Sequence, residues 1–324
     1  MAKVYFYNED CLQNMKRMEE KGFKIDLVLP SPPYATSRST VKTEKAIETY
    51  NRRYDICLDN MNDEEYCSWT IDIFNHFDKV LSKNGVVLYN ISYGSENPSV
   101  MWLAMSDIIR QTNFMIADCI IWKKKAALPN NVGNKLTRIT EFVFVLCRKD
   151  EYKTFNINKK VKSVREDTGQ KYYENTYNFI EAANNDGACK LNKATYSSDL
   201  CLQLLDIYAT KDTKVFDPFM GSGTTGVACE KFCQEDTMMC IGCELSADQI
   251  QFSKDRLAKV REDIANGVDE DVRWRNMTEE EQQAEILAKE EKERKKAERK
   301  AAKEAKNKEI EKNNNEKVQE TSIE

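Results

Sequence analysis

Short apolar runs alternate with longer amphipathic stretches through most of this chain. The runs at 4–7, 27–29, 86–91, 117–122, 142–146, 215–216 and 239–242 read as strands. The stretches 63–81, 100–111, 199–209, 225–232 and 246–260 space their apolar positions as helices do. The last of them opens with Ser246-Ala247-Asp248-Gln249, a capping-box pattern. Strands alternating with helices predict an α/β fold: a doubly wound, mostly parallel sheet wrapped on both faces. No internal repeat is present.

Two stretches break this rhythm. Residues 35–60 are polar and carry Arg38, Lys42, Lys45, Arg52 and Arg53, directly after a predicted strand end. Long loops at such positions are usually functional or disordered. Residues 151–189 lack apolar periodicity and are locally basic through Lys153, Lys159, Lys160, Lys162, Arg165 and Lys171, as expected of a small insertion. From about residue 276 almost every position is Glu, Lys, Arg, Ala, Gln or Asn, too polar to pack a face. The expected organisation is therefore two halves of one domain, 1–150 and 190–262, with an insertion at 151–189 and a charged helical or disordered tail at 263–324.

Composition narrows the class. A net charge of -5 over 324 residues argues against a uniformly basic nucleic-acid binder but leaves room for a local basic face. No apolar run reaches the roughly 18 residues of a membrane helix, and the first residues lack a signal-peptide pattern, so a soluble, cytoplasmic protein is expected. Eleven cysteines then read as reduced thiols. The set Cys229, Cys233, Cys240 and Cys243 invites a zinc reading. Its members fall on a predicted helix and the following strand, where buried thiols acting as small apolar residues fit better, and no metal is expected. The single histidine, His76, lies within a predicted helix as a surface or satisfied side chain, which leaves no basis for His-based catalysis.

The candidate chemistry lies at two strand ends, where open α/β sheets place ligands. One carries Asp217-Pro218-Phe219-Met220-Gly221-Ser222-Gly223-Thr224-Thr225, and Gly226 completes a GxGxxG pattern with Glu244 at the end of the next strand. That is the dinucleotide fingerprint, so an NAD enzyme competes. Against it, an aspartate and an aromatic stand between strand and glycines, and nothing resembles a hydride-transfer site. A lysine after the second glycine is missing, which excludes a nucleoside-triphosphate P-loop. The loop suits a nucleoside-bearing ligand without phosphates, such as S-adenosylmethionine. Glu244 would hold the ribose, and amides at the helix start would face the methionine carboxylate.

The other end carries Ser31-Pro32-Pro33-Tyr34. Diproline fixes φ twice and removes two donors, leaving nearby carbonyls outward as acceptors. With Ser31 Oγ as another acceptor and Tyr34 as a stacking face, the string fits an exocyclic amine on an aromatic ring. Such a nitrogen is a poor nucleophile because its lone pair is delocalised. Acceptors gripping its N–H bonds favour a more tetrahedral nitrogen.

These strings together resemble the DNA amino-methyltransferases of the permuted class, in which the catalytic motif precedes the cofactor motif. The resemblance runs from about Val4 to Leu257. It includes Asn8-Glu9-Asp10-Cys11, similar to the acidic turn beside the cofactor's adenine, and Leu81-Ser82-Lys83-Asn84-Gly85 before a strand. Ile121-Trp122-Lys123 and Glu141-Phe142 are similar to later family motifs, and Asp217 to Thr225 with Ile241-Gly242-Cys243-Glu244 complete the cofactor half. One departure is Asn192-Lys193-Ala194-Thr195-Tyr196-Ser197, where the family often has His-Pro-Ala-Thr-Phe-Pro. The resemblance implies the Rossmann-like methyltransferase fold, S-adenosylmethionine as cofactor and Ser31, Pro32, Pro33 and Tyr34 as catalytic residues. It implies a cofactor site of Asp10, Cys11, Asp217, Pro218, Phe219, Gly221, Ser222, Gly223, Thr224, Thr225 and Glu244.

An initial Ser in the catalytic motif usually accompanies methylation of cytosine N4, and an initial Asp that of adenine N6. Because the amine lies inside a duplex, the resemblance further implies double-stranded DNA as partner and base flipping. Arg38, Arg52, Arg53, Lys159, Lys160 and Arg165 are the candidate phosphate contacts, and 151–189 the target-reading region. The setting implied is a bacterial or phage-infected cell, where a cognate restriction endonuclease is a possible companion. Adenine N6 stays open as the target, as does an idle cofactor- or DNA-binding role. Target sequence and oligomeric state are left open.

Overall fold

The computed structural model describes residues 1–34, 61–94, 97–127, 129–186 and 195–268, together with the isolated positions 287, 291, 294 and 295. The basic stretch with Arg38, Arg52 and Arg53 lies outside the described residues, as does nearly all of the charged tail. The chain divides into two compact units, Met1–Val268 and Asp269–Glu324, and the first holds every element that follows.

The elements run β1 (Lys3–Tyr7), α1 (Cys11–Glu20), β2 (Ile25–Val28), α2 (Asp63–Val80), β3 (Leu81–Ile91), α3 (Val100–Gln111), β4 (Phe114–Lys124) and β5 (Thr140–Arg148). Next come β6 (Val161–Val164), β7 (Lys171–Tyr173), β8 (Phe179–Ala182), α4 (Ser198–Tyr208), β9 (Lys214–Asp217), α5 (Thr224–Phe232), β10 (Met239–Cys243) and α6 (Ala247–Ala265). Among the described residues, eight strands form one sheet in the order β1-β10-β9-β2-β3-β5-β4-β8, and β6 and β7 form a separate hairpin. All neighbours in the large sheet pair in parallel except β5, which runs against both β3 and β4.

Strand order turns at the β9–β2 pair, where Leu27 lies opposite Val215 and Val28 opposite Phe216. From there the chain builds outward in both directions, so the loops after β2 and β9 open side by side at a switch point. The central strands are apolar throughout because both faces are covered. Successive residues feed opposite layers: Val28, Phe216 and Ile241 pack with α1, α2 and α3, while Leu27, Val215 and Cys240 pack with α4 and α5. Helix α2 starts at a capping box, with Asn62 and Glu65 each bonded to the other's backbone N–H. Ser246 Oγ accepts from Gln249 N at 3.3 Å and caps α6, as the sequence pattern predicts.

Several features differ from the expected ones. Helix α1 was not foreseen: it buries only Cys11, Asn14, Met15 and Met18, too sparse an apolar stripe to read. The 81–85 motif stands within β3 rather than before it. His76 is neither on the surface nor satisfied; its Nδ1 is buried without a hydrogen-bond partner and its Nε2 lies 3.9 Å from Asp72. Cys229, Cys233 and Cys240 are buried in one apolar layer and Cys243 in the other. Among the described residues no helix is long and apolar enough to cross a membrane.

Candidate active site

The stiff loop begins as β2 ends. Leu29 N donates to Phe216 O at 2.9 Å and Asn90 N to Pro30 O at 3.0 Å, which holds the loop between the ends of β9 and β3. Pro33 O accepts the Tyr66 hydroxyl at 2.9 Å. The carbonyls of Pro30 and Pro33 therefore already accept internal bonds, a correction, for those two, to the expectation that carbonyls near the diproline face outward as acceptors. The side-chain acceptors that remain grouped are Ser31 Oγ and Asn90 Oδ1, 3.5 Å apart. Asn90 is fixed by donating Nδ2–H to Phe142 O at 3.2 Å.

Tyr34 is half-buried, its ring packed on the core layer beneath α2. Its hydroxyl lies 3.0 Å from Glu141 Oε2, 3.3 Å from Asn90 Oδ1 and 3.5 Å from Ser31 Oγ. Glu141 is in turn paired with Lys124. Asn90 was missed in the sequence because it sits inside an apolar strand run, and a buried polar residue there is the signal that could have found it.

The glycine loop is built differently. Asp217 is 1 % exposed, and both its oxygens are engaged: Oδ1 by Phe219 N at 3.0 Å, Oδ2 by Thr225 Oγ1 at 2.5 Å and Tyr196 Oη at 3.2 Å. Burial pushes its carboxyl up to about 6, against these hydrogen bonds, which pull it down. Burial likewise raises the Tyr196 phenol and the Cys11 thiol above their ordinary ranges. Gly221 and Gly223 have φ of 52° and 78°, in the left-handed region. A Cβ on Gly223 would meet the Ser253 Cβ at 2.8 Å.

Arg256 of α6 bonds Ser222 O at 3.1 Å and Thr224 Oγ1 at 3.0 Å, and pairs with Asp186. Ser222, Thr224 and Thr225 are buried, so their side chains hold the loop together. Glu244 extends from β10 and accepts Gly221 N at 3.1 Å and Ser246 N at 2.9 Å. Asp10 caps α1 through Leu12 N at 2.8 Å, at the end of β1 next to β10.

The structure thus places Asp10, Cys11, the 217–225 loop and Glu244 at three adjacent strand ends, with Ser31 and Tyr34 one strand further on. Tyr66, Trp69 and Phe219 form a chain of tilted ring contacts, with centroids 5.7 and 5.5 Å apart, that links the two loops through α2. Tyr66 and Trp69 were not singled out from the sequence. Of the 192–197 motif, residues 192–194 lie outside the described residues; at its end, where the family often has Phe-Pro, Tyr196 binds Asp217 and Ser197 caps α4 through Leu200 N at 3.3 Å.

The insertion leaves from the opposite edge of the sheet. Asn156 N donates to Asn84 O and Asn158 N to Ile207 O, both near strand starts rather than strand ends. Lys159, Lys160 and Arg165 are therefore rooted away from Ser31. Lys159 lies over the Tyr173 ring at 5.8 Å and Arg165 pairs with Asp167 at 2.7 Å. Chain returns through β8 to Asp186 at the glycine loop.

A mostly parallel α/β sheet with two candidate loops at its switch point is a methyltransferase-type fold. Residues 25–255 match the family model of the N6_N4_Mtase DNA methylases, and the chain belongs to that family, whose members use S-adenosylmethionine. It is 24 % identical over 285 residues to the Type II methyltransferase M.SmaI of Serratia marcescens, covering 73 % of this chain and 85 % of that protein. It is 26 % identical over 149 residues to M.Cfr9I of Citrobacter freundii, where the match spans about half of either chain, 46 % of each.

Among solved structures, the PvuII DNA methyltransferase (cytosine-N4-specific) superposes with a TM-score of 0.57 at 17 % identity, over 82 % of this chain and 95 % of that one. The crystal structure of M1.HpyAVI gives 0.51 at 19 % identity, over 78 % and 98 %. These two show the shared fold. The cradle fits the family cofactor: Gly223 opens α5 with no side-chain cap, leaving first-turn amides to a ligand, and two carboxylates flank the loop.

Proposed function

We propose that this chain is an S-adenosylmethionine-dependent DNA methyltransferase acting on the exocyclic N4 amine of cytosine in duplex DNA. The observation that carries the reading is the grouping of Ser31 Oγ, Asn90 Oδ1 and the Tyr34 ring at the β2 end, one strand from the glycine loop. When bound, the cofactor supplies a methyl group activated on a sulfonium. Ser31 and Asn90 accept the two N–H bonds of the ring amine, which directs its lone pair away from them. Their contacts strengthen as positive charge grows on nitrogen, so they favour the transition state over the ground state. Tyr34, tethered by Glu141, holds the flipped ring.

The C–S bond to the sulfonium breaks as the N–C bond forms, leaving a neutral thioether and a cationic amine that then gives its proton to solvent, so no strong base is required at the outset. The Ser that opens the motif supports cytosine over adenine N6. A cognate restriction endonuclease is the companion that fits a chain related to Type II methyltransferases. Incubation with DNA and labelled S-adenosylmethionine, followed by mass spectrometry of nucleosides, tests the reading. N4-methylcytosine is expected; N6-methyladenine moves the target base, and absence of any product overturns the activity.

A further inference from the structure

The segment joining β4 to β5 opens at the same sheet edge as the catalytic loop. Lys123 and Thr140 are register partners there, and the next residue of β5, Glu141, is the carboxylate that tethers Tyr34 and pairs with Lys124. From 123 to 139 the sequence carries Lys123, Lys124, Lys125, Lys135 and Arg138 and not one Asp or Glu. Arg138 lies over the Tyr93 ring at 5.1 Å and donates to the Tyr93 carbonyl, just past the end of β3.

The loop is tied by its own groups. Asn130 accepts from Val132 N at 3.1 Å, its amide donates to Leu136 O at 3.4 Å, and its N–H reaches Thr137 Oγ1 at 3.0 Å. A turn from Val132 O to Lys135 N at 3.1 Å completes it. On this tied loop Leu136 stands 88 % exposed, the most exposed large apolar side chain among the described residues.

An isolated exposed leucine is ordinary. This one stands on a tied turn, flanked in the chain by Lys135 and Arg138, and the strand ends that carry it hold Lys123 paired with Glu181 and Glu141, the tether of Tyr34, paired with Lys124. We propose that the loop docks on the DNA backbone through its cations and that Leu136 enters the duplex as a wedge, filling the stack when the target base is extruded. Apolar wedges of this kind separate base steps in proteins that deform DNA. The inference rests on the reading of the chain as a base-flipping DNA methyltransferase. It adds a partner surface that holds the duplex open.

The test uses the full chain and an oligonucleotide duplex carrying the site that the wild type methylates, once fully paired and once with the target base mispaired. Extrusion is easiest from a mismatch. Leu136→Ala is expected to slow single-turnover methylation of the paired duplex by about tenfold or more, and to come within about threefold of wild type on the mispaired one. Leu136→Met, which keeps the apolar bulk, is expected to retain most of the rate. Equal rates for Leu136→Ala and wild type on paired DNA overturn the wedge. So does an equal slowing on both duplexes, which would make the leucine a docking contact. A wild type that methylates no DNA overturns the functional reading and the wedge with it. A wild type that methylates normally beside an unaffected variant overturns the wedge alone.

Discussion

The two loops at the switch point sit on neighbouring strands yet are finished to different degrees. In the glycine loop the polar side chains are engaged inside the protein: Asp217 by three donors, Thr225 and Tyr196 by Asp217, Thr224 by Arg256 at 3.0 Å, and Ser222 Oγ by the same guanidinium at 3.5 Å. What remains for a ligand is backbone and the flanking carboxylates. In the stiff loop the frame is fixed, by Tyr66 on Pro33 and Asn90 on Pro30, but the contacts among the functional groups are 3.0–3.5 Å long. Hydrogen bonds at the long end of that range contribute little until a better donor arrives. On the proposed function, the glycine loop is a cradle already built, and the stiff loop offers acceptors whose contacts tighten only on the N–H groups of a substrate.

The largest effect is expected in the cradle, because nothing there can yield. Gly221→Asp places a side chain at φ 52° and a negative charge next to Glu244. A left-handed conformation costs a non-glycine residue about 1 kcal/mol or more, before the repulsion is counted. Cofactor binding measured by calorimetry should be lost in a protein that still folds. Wild-type affinity in a folded Gly221→Asp variant would remove this loop from the cofactor site.

Next in size is the chemical step. Ser31→Ala takes one acceptor from the amine where charge develops, and such losses cost roughly 10²-fold in rate. Cofactor affinity should barely change, since the glycine loop makes no bond to Ser31. Single-turnover rates with saturating DNA decide it. Methylation at the wild-type rate, with chemistry limiting, would strip Ser31 of its role and with it the contrast between the two loops.

The same contrast explains what the sequence showed. Strands buried on both faces announce themselves as apolar runs, so β2, β3, β9 and β10 and the loops that end β2 and β9 were legible. The glycine loop was legible because φ of 52° and 78° demands glycine. What was hidden lies in contacts between distant segments. Tyr66 and Trp69 look like any aromatics on a helix until they are seen to join Pro33 to Phe219. Asn90 is one polar letter in an apolar strand, and Glu141, noted in the sequence as part of the Glu141-Phe142 motif, is brought to Tyr34 only by β5 running antiparallel beside β3. The insertion was read as target-reading by its place in the chain, but its root depends on where an antiparallel strand delivers it, which no local pattern encodes.

A smaller effect tests the burial of Asp217. Its carboxyl is held at about 6 in the folded protein against an ordinary 3.8, so the folded state binds the proton more tightly than the unfolded one. The stability this adds is complete below about pH 3.8 and is lost as pH rises through about 6. Asp217→Asn removes that dependence. The difference in unfolding free energy, wild type minus variant, should fall by about 2–3 kcal/mol between pH 4 and 7. Denaturant melts at several pH values supply the measurement, and a flat difference would mean that the carboxylate is solvated.

The smallest effect expected is the most discriminating one for the stiff loop. Tyr34 combines a ring that holds the base with a hydroxyl that ties it to Glu141, and the two can be separated. Tyr34→Ala removes both and should lose stacking of roughly 1–3 kcal/mol with the base while leaving cofactor affinity unchanged. Tyr34→Phe keeps the ring and breaks one charge-assisted bond, 3.0 Å long and half-buried, leaving Glu141 with Lys124 as partner. Because the carboxylate stays paired, the loss should be near 1 kcal/mol, about fivefold in kcat/KM. A Tyr34→Phe variant as impaired as Tyr34→Ala would show that the hydroxyl touches the amine itself. The loose cluster around Asn90 would then be an assembled acceptor set, and the difference between the two loops would shrink to one of exposure.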